Sequence, residues 1–147
     1  MHRKVVVFDI DGTLSDPTHR MHLVNGKKKD YDIFFNLVHL DDPHYDMIDL
    51  TETFDDAFYT IVLCTGRPER TRKDTEEWLH KHDVKYVELY MRPDGDHRPD
   101  YKLKVQQLEQ VVRQFAWPWV WFEDRDGVVK ALRKEGVRVL QVKEGNY

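Results

Sequence analysis

The sequence contains one cysteine, Cys64, and that scarcity removes two classes of protein at once. A single thiol cannot close an internal disulfide, so a disulfide-stapled secreted domain is excluded, and it cannot assemble a thiolate cluster for zinc. Long apolar runs are also missing: Val5-Val6-Val7-Phe8 near the start is far shorter than a signal-peptide core or a bilayer crossing. Positive charge is not in excess. The 23 Lys and Arg stand against 27 Asp and Glu, a formal net charge of -4, so any polyanionic partner would have to be held by a local basic patch. No internal repeat, low-complexity tract or interdomain linker interrupts the chain. What remains is 147 residues, 40% hydrophobic and 34% charged, with a mean hydropathy of -0.72. That is enough for one highly charged soluble domain, residues 1–147, with its own core, expected in a reducing cytoplasm and away from membranes.

Strand and helix signals alternate. Lys4 to Ile10 reads as a buried strand that ends in Asp-x-Asp-Gly. A polar loop with Lys27-Lys28-Lys29 follows, then helices over Tyr31 to Leu40 and Tyr45 to Phe58, with Asp42-Pro43 as the turn between them. Tyr59 to Cys64 is a second strand, closed by Thr65-Gly66-Arg67-Pro68, and Arg70 to His82 is a charged helix with Trp78 and Leu79 inward. Val87 to Met91 is a third strand, before the polar loop Arg92 to Asp100. Leu108, Val111, Val112 and Phe115 share one face of a helix over Lys102 to Phe115. Trp119 to Phe122 is a fourth strand, a helix around Val128 to Leu132 stops at Gly136, and Val137 to Val142 is a fifth strand. The expected fold is α/β, a mainly parallel five-stranded sheet with helices on both faces and a small helical, cap-like insertion at about 15–58.

In such a sheet the ligand site lies at the carboxyl ends of the strands. The polar residues delivered there are Asp9 and Asp11, Thr65 with Gly66 and Arg67, Lys104, and then Glu123 and Asp124. Carboxylates beside one lysine, one hydroxyl and a glycine-freed amide suit a divalent cation plus a phosphoryl group.

These residues fall into four ordered motifs: Asp9-Ile10-Asp11-Gly12-Thr13-Leu14, Thr65-Gly66-Arg67, Lys104, and Glu123-Asp124-Arg125. In that order the chain resembles the haloacid dehalogenase superfamily of phosphohydrolases. The loop Arg92-Pro93-Asp94-Gly95-Asp96-His97-Arg98-Pro99-Asp100, followed by Lys104, is similar to that of polynucleotide kinase-phosphatase phosphatase domains. The resemblance covers essentially the whole chain. It implies that Asp9 is the nucleophile, Asp11 the general acid and base, and Thr65 and the Gly66 amide the phosphoryl holders, with Lys104 bridging Asp9 and the phosphate. It further implies Mg²⁺ on the Asp9 carboxylate, the Asp11 carbonyl and Asp124, and substrate contacts from Arg20, Arg67 and Asp100. Glu123 stands where the subfamily usually has Asp, which makes its ligation of metal less secure than that of Asp124.

The expected function is Mg²⁺-dependent removal of a 3′-terminal phosphate from DNA or RNA through an aspartyl-phosphate. The alternative in the same chemistry is a 5′(3′)-nucleotidase acting on free nucleoside monophosphates. A non-enzymatic receiver-like phosphoacceptor is disfavoured, because in receivers the phosphorylated Asp ends a later strand than the first. No G-x-x-x-x-G-K-[ST] phosphate loop is present, so a kinase activity is expected to come from another protein. The eight histidines show no ligand spacing, Lys27 to Lys29 reads as a solvated loop, and Trp117, Trp119 and Trp121 read as core. Tyr31, Phe34 and Phe35 are expected either to line the site entrance or to pack on the body.

Overall fold

The computed structural model describes residues 3–147. In chain order it contains β1 (Val5–Phe8), β2 (Ser15–Asp16), α1 (His22–Asn25), α2 (Tyr31–Asn36), β3 (Asp42–Pro43), α3 (Tyr45–Asp56) and β4 (Thr60–Pro68). It continues with α4 (Arg72–Lys81), β5 (Glu88–Arg92), α5 (Asp100–Gln114), β6 (Pro118–Glu123), α6 (Asp126–Lys134) and β7 (Val139–Gln141). The main sheet is parallel, in the order β5-β4-β1-β6-β7. β1 therefore lies between β4 and β6, where the strand order reverses, and its carboxyl end opens onto a crevice.

Side chains of β1 alternate between two cores, as the period of a strand requires. Val6 and Phe8 pack with Met47 and Ile48 of α3 and with Trp78 and Leu79 of α4. Val5 and Val7 face the other way, against Leu108 and Val111 of α5 and Val128, Val129 and Leu132 of α6. Both faces of the sheet are covered, which is why the central strands β1 and β4 carry continuous apolar runs, whereas β5 and β7 are only partly buried. Cys64 is buried in the second core, and burial pushes its thiol far above the usual range.

Several local expectations need correction. Asp42-Pro43 is not a plain turn: it pairs antiparallel with Ser15-Asp16, closing the base of the insertion after β1. The helix expected over Tyr31 to Leu40 ends at Asn36, and Val38–Leu40 forms a separate 3-10 turn. Thr65-Gly66-Arg67-Pro68 does not close β4 but belongs to it, with a register shift before Pro68 pairs with Arg92. Of the three tryptophans read as core, only Trp121 is buried; Trp117 and Trp119 are each 49% exposed. Among the described residues, no helix is long and apolar enough to cross a membrane.

Candidate active site

The Asp9 carboxylate lies directly after β1, at the floor of the crevice, with its backbone N–H donating to the Phe122 carbonyl at 3.0 Å. The turn that follows is wound on the Ile10 carbonyl, which accepts from the N–H groups of Thr13, Leu14 and Ser15. Gly12 sits in this turn at φ +86°, and a Cβ there would lie 2.0 Å from Asp124 Oδ2. Both facts demand glycine, one through the backbone and one through space.

On the β6 side of Asp9 the site is acidic. Lys104, one turn into α5 and buried, donates from Nζ to Asp9 Oδ1 at 2.7 Å and to Glu123 Oε2 at 2.8 Å. Thr13 Oγ1 donates to the other Asp9 oxygen at 3.3 Å. Carboxylate oxygens of Asp9, Glu123 and Asp124 lie within 4.8 Å of one another, all three residues buried. Three carboxylates against one ammonium leave this cluster short of positive charge. Burial, and next the Glu123 carboxylate, push the Asp9 carboxyl up to about 7, and burial and Asp9 push Asp124 up to about 7. Burial alone would depress the Lys104 ammonium, but Asp9 and Glu123 hold it well above its ordinary value. An all-oxygen, electron-rich cluster of this kind fits a hard divalent cation such as Mg²⁺. Asp11 offers no side chain to it, which leaves its main-chain carbonyl as its expected contribution.

On the β4 side the site is arginine-rich. Asp11 Oδ1 accepts from Arg20 Nη2 at 2.8 Å, Arg67 Nη2 at 2.7 Å and Arg67 Nε at 3.1 Å. Beneath them Asp41 accepts from Arg20 Nε at 2.8 Å, Arg20 Nη2 at 2.7 Å and Arg67 Nη2 at 3.1 Å, and its Oδ1 lies 2.7 Å from His19 Nε2. Trp78 Nε1 secures the Asp41 main chain by donating to its carbonyl at 2.8 Å. Burial alone would raise the Asp11 carboxyl, but the Arg67 and Arg20 guanidiniums outweigh it and hold Asp11 well below the usual carboxylate range. Arg20 and Arg67, expected at the substrate, are both fully buried and outside the lining of the cleft, and each grips Asp11.

Above these two clusters opens a cleft of about 790 Å³. Asp9, Asp11, Gly66, Asp100, Lys104, Glu123 and Asp124 all reach it, whereas Thr65 lies behind, its Oγ1 accepting from Arg67 N at 3.1 Å. Gly66 lacks a positive φ; its requirement is spatial, since a Cβ would stand 2.8 Å from Asp100 Oδ1. Asp100 is clamped by Arg92 Nη2 at 2.5 Å and Arg125 Nη1 at 2.6 Å. The far wall carries Tyr31, Phe34 and Phe35 of α2, with the Arg70 guanidinium 5.5 Å over the Phe35 ring, so the aromatic residues do line the entrance. Lys29 also reaches the mouth, although the triplet it belongs to is exposed. Tyr147 closes one side, with its hydroxyl hydrogen-bonded to Asp124 Oδ2.

Asp41 was not singled out by the sequence reading, and Arg92 and Arg125 were named there only as motif members without a role of their own. Arg92 and Arg125 each belong to a quoted motif, which is the one signal that could have pointed to their role; Asp41 had none, since its arginine partners lie 21 to 26 residues away.

The chain matches the family model for the polynucleotide kinase PNKP phosphatase domain over residues 3–147. It is 30% identical over 129 residues to a protein of Autographa californica nuclear polyhedrosis virus described as a candidate bifunctional polynucleotide kinase/RNA ligase, covering 86% of this chain and 17% of that one. A structure of the Pnkp1/Rnl/Hen1 RNA repair complex contains a chain that superimposes with a TM-score of 0.83 at 26% identity, over 99% of this chain and 44% of that chain. A haloacid dehalogenase-like hydrolase from Streptococcus pneumoniae matches at a TM-score of 0.66 and 15% identity, over 95% of this chain and 84% of that chain, a likeness of fold. The chain thus spans less than half the length of the first two. With its motifs, fold and cleft so matched, the chain belongs to the polynucleotide kinase PNKP phosphatase domain family and is a haloacid dehalogenase-type phosphatase.

Proposed function

We propose that this chain hydrolyses the terminal 3′-phosphate of a DNA or RNA strand through a covalent phosphate on Asp9. The observation that carries the reading is the cleft itself: the Asp9 carboxylate at its floor, cations along its rim, and an aromatic wall of Tyr31, Phe34 and Phe35 facing it. A bound Mg²⁺, held by the Asp9 and Asp124 carboxylates with Glu123 beside them, would neutralise phosphoryl charge. In the first half-reaction an Asp9 oxygen bonds to phosphorus and the bond to the 3′ oxygen breaks. Asp11 supplies the proton to that oxygen. In the free chain Asp11 is an anion on two arginines; the incoming phosphoryl charge raises its proton affinity, so the acid form belongs to the substrate complex. In the second half-reaction water bonds to phosphorus, Asp11 accepts its proton, and Asp9 is released as a carboxylate.

Lys104 fixes the orientation of Asp9 and offsets its charge. The Gly66 amide and Thr65 serve the phosphoryl oxygens, and Asp100, locked between Arg92 and Arg125, shapes the rim where the strand enters. The insertion at about 15–58 acts as a cap-like wall, with α2 presenting its aromatic face to the cleft. The test is phosphate release with Mg²⁺ from a 3′-phosphorylated oligonucleotide, a 5′-phosphorylated one, and 3′- and 5′-mononucleotides, for wild type beside Asp9→Asn. Preference for the 3′-phosphorylated strand, lost in the variant, is expected. Preference for mononucleotides would make the chain a nucleotidase with the same mechanism.

A further inference from the structure

At the opposite edge of the sheet, where the strands begin, a second cavity of about 450 Å³ is lined by Arg3, Lys4, Arg138, Trp117 and Trp119 together with apolar and glycine positions. β6 runs from this cavity, at Pro118, to the catalytic cluster, at Glu123. The six residues of that strand, five steps of about 3.3 Å, separate the two by about 17 Å. No Asp or Glu lines the cavity, in a chain whose net charge is -4. The three cations are exposed, and the two indoles are half-exposed.

The cations are set against ring faces. Lys4 Nζ lies 5.3 Å from the Trp119 ring and 5.8 Å from the Tyr59 ring, and the Arg3 guanidinium lies 5.7 Å over Phe58. Phe58 is 69% exposed and sits at φ +66°, a left-handed conformation that a bulky residue adopts at a cost. Trp119 is edge-packed on Tyr59 and Phe54, which holds its orientation. Trp117 lies beside Gly136, whose φ of +95° favours glycine at that bend. Folding stability does not call for this arrangement, because large rings left in water forgo burial.

Interleaved rings and cations with no carboxylate among them match single-stranded nucleic acid, whose bases stack on aromatic faces while its phosphates seek positive charge. We propose that this cavity is a second binding site for single-stranded nucleic acid, with bases on Trp117 and Trp119 and phosphates on Arg3, Lys4 and Arg138. A strand with its end in the catalytic cleft would pass along the body and be held again several nucleotides inward. Only that link between the two edges rests on the proposed function; binding at the second edge does not.

The experiment titrates the chain with an unphosphorylated oligothymidylate of about 12 nucleotides, within the span that such surfaces occupy. Tryptophan fluorescence and the anisotropy of a labelled strand are both followed, for wild type, Trp117→Ala and Arg138→Glu. Both substitutions fall on exposed side chains outside the packed cores, and thermal melting confirms the fold. Quenching in the wild type is expected, with affinity reduced at least about fivefold by Trp117→Ala. The logarithmic salt slope should shrink by about 0.7 or more in Arg138→Glu. Hydrolysis of a short 3′-phosphorylated dinucleotide should be unchanged in both. Equal strand affinity in wild type and both variants overturns the proposal, because the strand would then be held by the catalytic cleft or elsewhere. Absence of strand binding by the wild type, with the cavity instead capturing an aromatic or acidic peptide, overturns it as well. Strand binding that is lost in the variants, in a chain that releases no phosphate, would overturn the proposed function and leave this site standing.

Discussion

Asp9 and Asp11 are two residues apart on one turn, yet they are held in opposite electrostatic surroundings. On the β6 side Asp9 shares a buried space with Glu123 and Asp124, and Lys104 alone offsets them. On the β4 side Asp11 and Asp41 face two guanidiniums, so charge is balanced. One side is short of positive charge and the other is already balanced. The difference fits the proposed division of work, in which the charge-starved carboxylate attacks and ligates while the charge-saturated one is kept in place for proton transfer.

The strongest way to break this contrast is at the nucleophile. Asp9→Asn keeps the shape, and turnover is expected to fall by at least about 10⁴-fold with the fold intact by circular dichroism; appreciable remaining phosphate release would move the nucleophile elsewhere. On the arginine side, Arg67→Lys retains charge but loses the two-pronged grip on Asp11. A fall in kcat of about 10²-fold is expected. Because Arg20 and Arg67 are buried on Asp11 rather than exposed to the cleft, the loss should be equal on an oligonucleotide and on an activated aryl phosphate. A loss confined to the oligonucleotide would return these arginines to substrate contact. Arg67→Ala leaves Asp11 and Asp41 under-compensated and should cost roughly 3–5 kcal/mol in chemical denaturation.

A smaller effect sharpens the comparison at the rim. Gly66→Ala drives a methyl against Asp100 Oδ1 and loosens its clamp between Arg92 and Arg125, so kcat/KM should fall about tenfold with little change in Tm. The smallest effect separates the two sides by pH. Asp9 and Asp124 have carboxyls raised to about 7 in the folded chain and ordinary ones when unfolded. Between roughly pH 4 and 7 the folded state therefore binds more protons, and the metal-free protein loses stability as pH rises through that window. Mg²⁺ should raise Tm by a few degrees at pH 8 and by almost nothing at pH 5. Asp11 has the reverse sign: its contribution is present above the ordinary carboxylate pKa and is lost only in strong acid. A Mg²⁺ shift that is equal at both pH values would contradict the charge-starved description of the β6 side.

Much of this was legible in the chain itself, because strand ends announce what they deliver. Asp9, Asp124 and Lys104 sit where a buried apolar run or a helix start places them. The fold class followed from the same alternation. What stayed hidden depended on partners far apart in sequence. The β2 and β3 ladder joins Ser15 to Pro43, and the pairing of Arg67 with Asp11 spans 56 residues; neither leaves a local period. Periodicity also misjudged Trp117 and Trp119, since a strand that alternates at its first residues looks the same whether its outer face is covered or bare.

The central position of β1 carries a consequence for how activity arises during folding. Its neighbours in the sheet are not its neighbours in the chain: Val6 pairs with Ile61 on one side and with Val120 on the other. Asp9, the proposed nucleophile, is made before the residues that surround it, so closing loops of that length must precede any chemistry there. A ribosome that has released the chain as far as residue 100 has exposed Asp9 without Lys104, Glu123 or Asp124. Catalysis is thus a readout of completed assembly, and recovery of phosphate release after denaturation should lag behind recovery of helical signal.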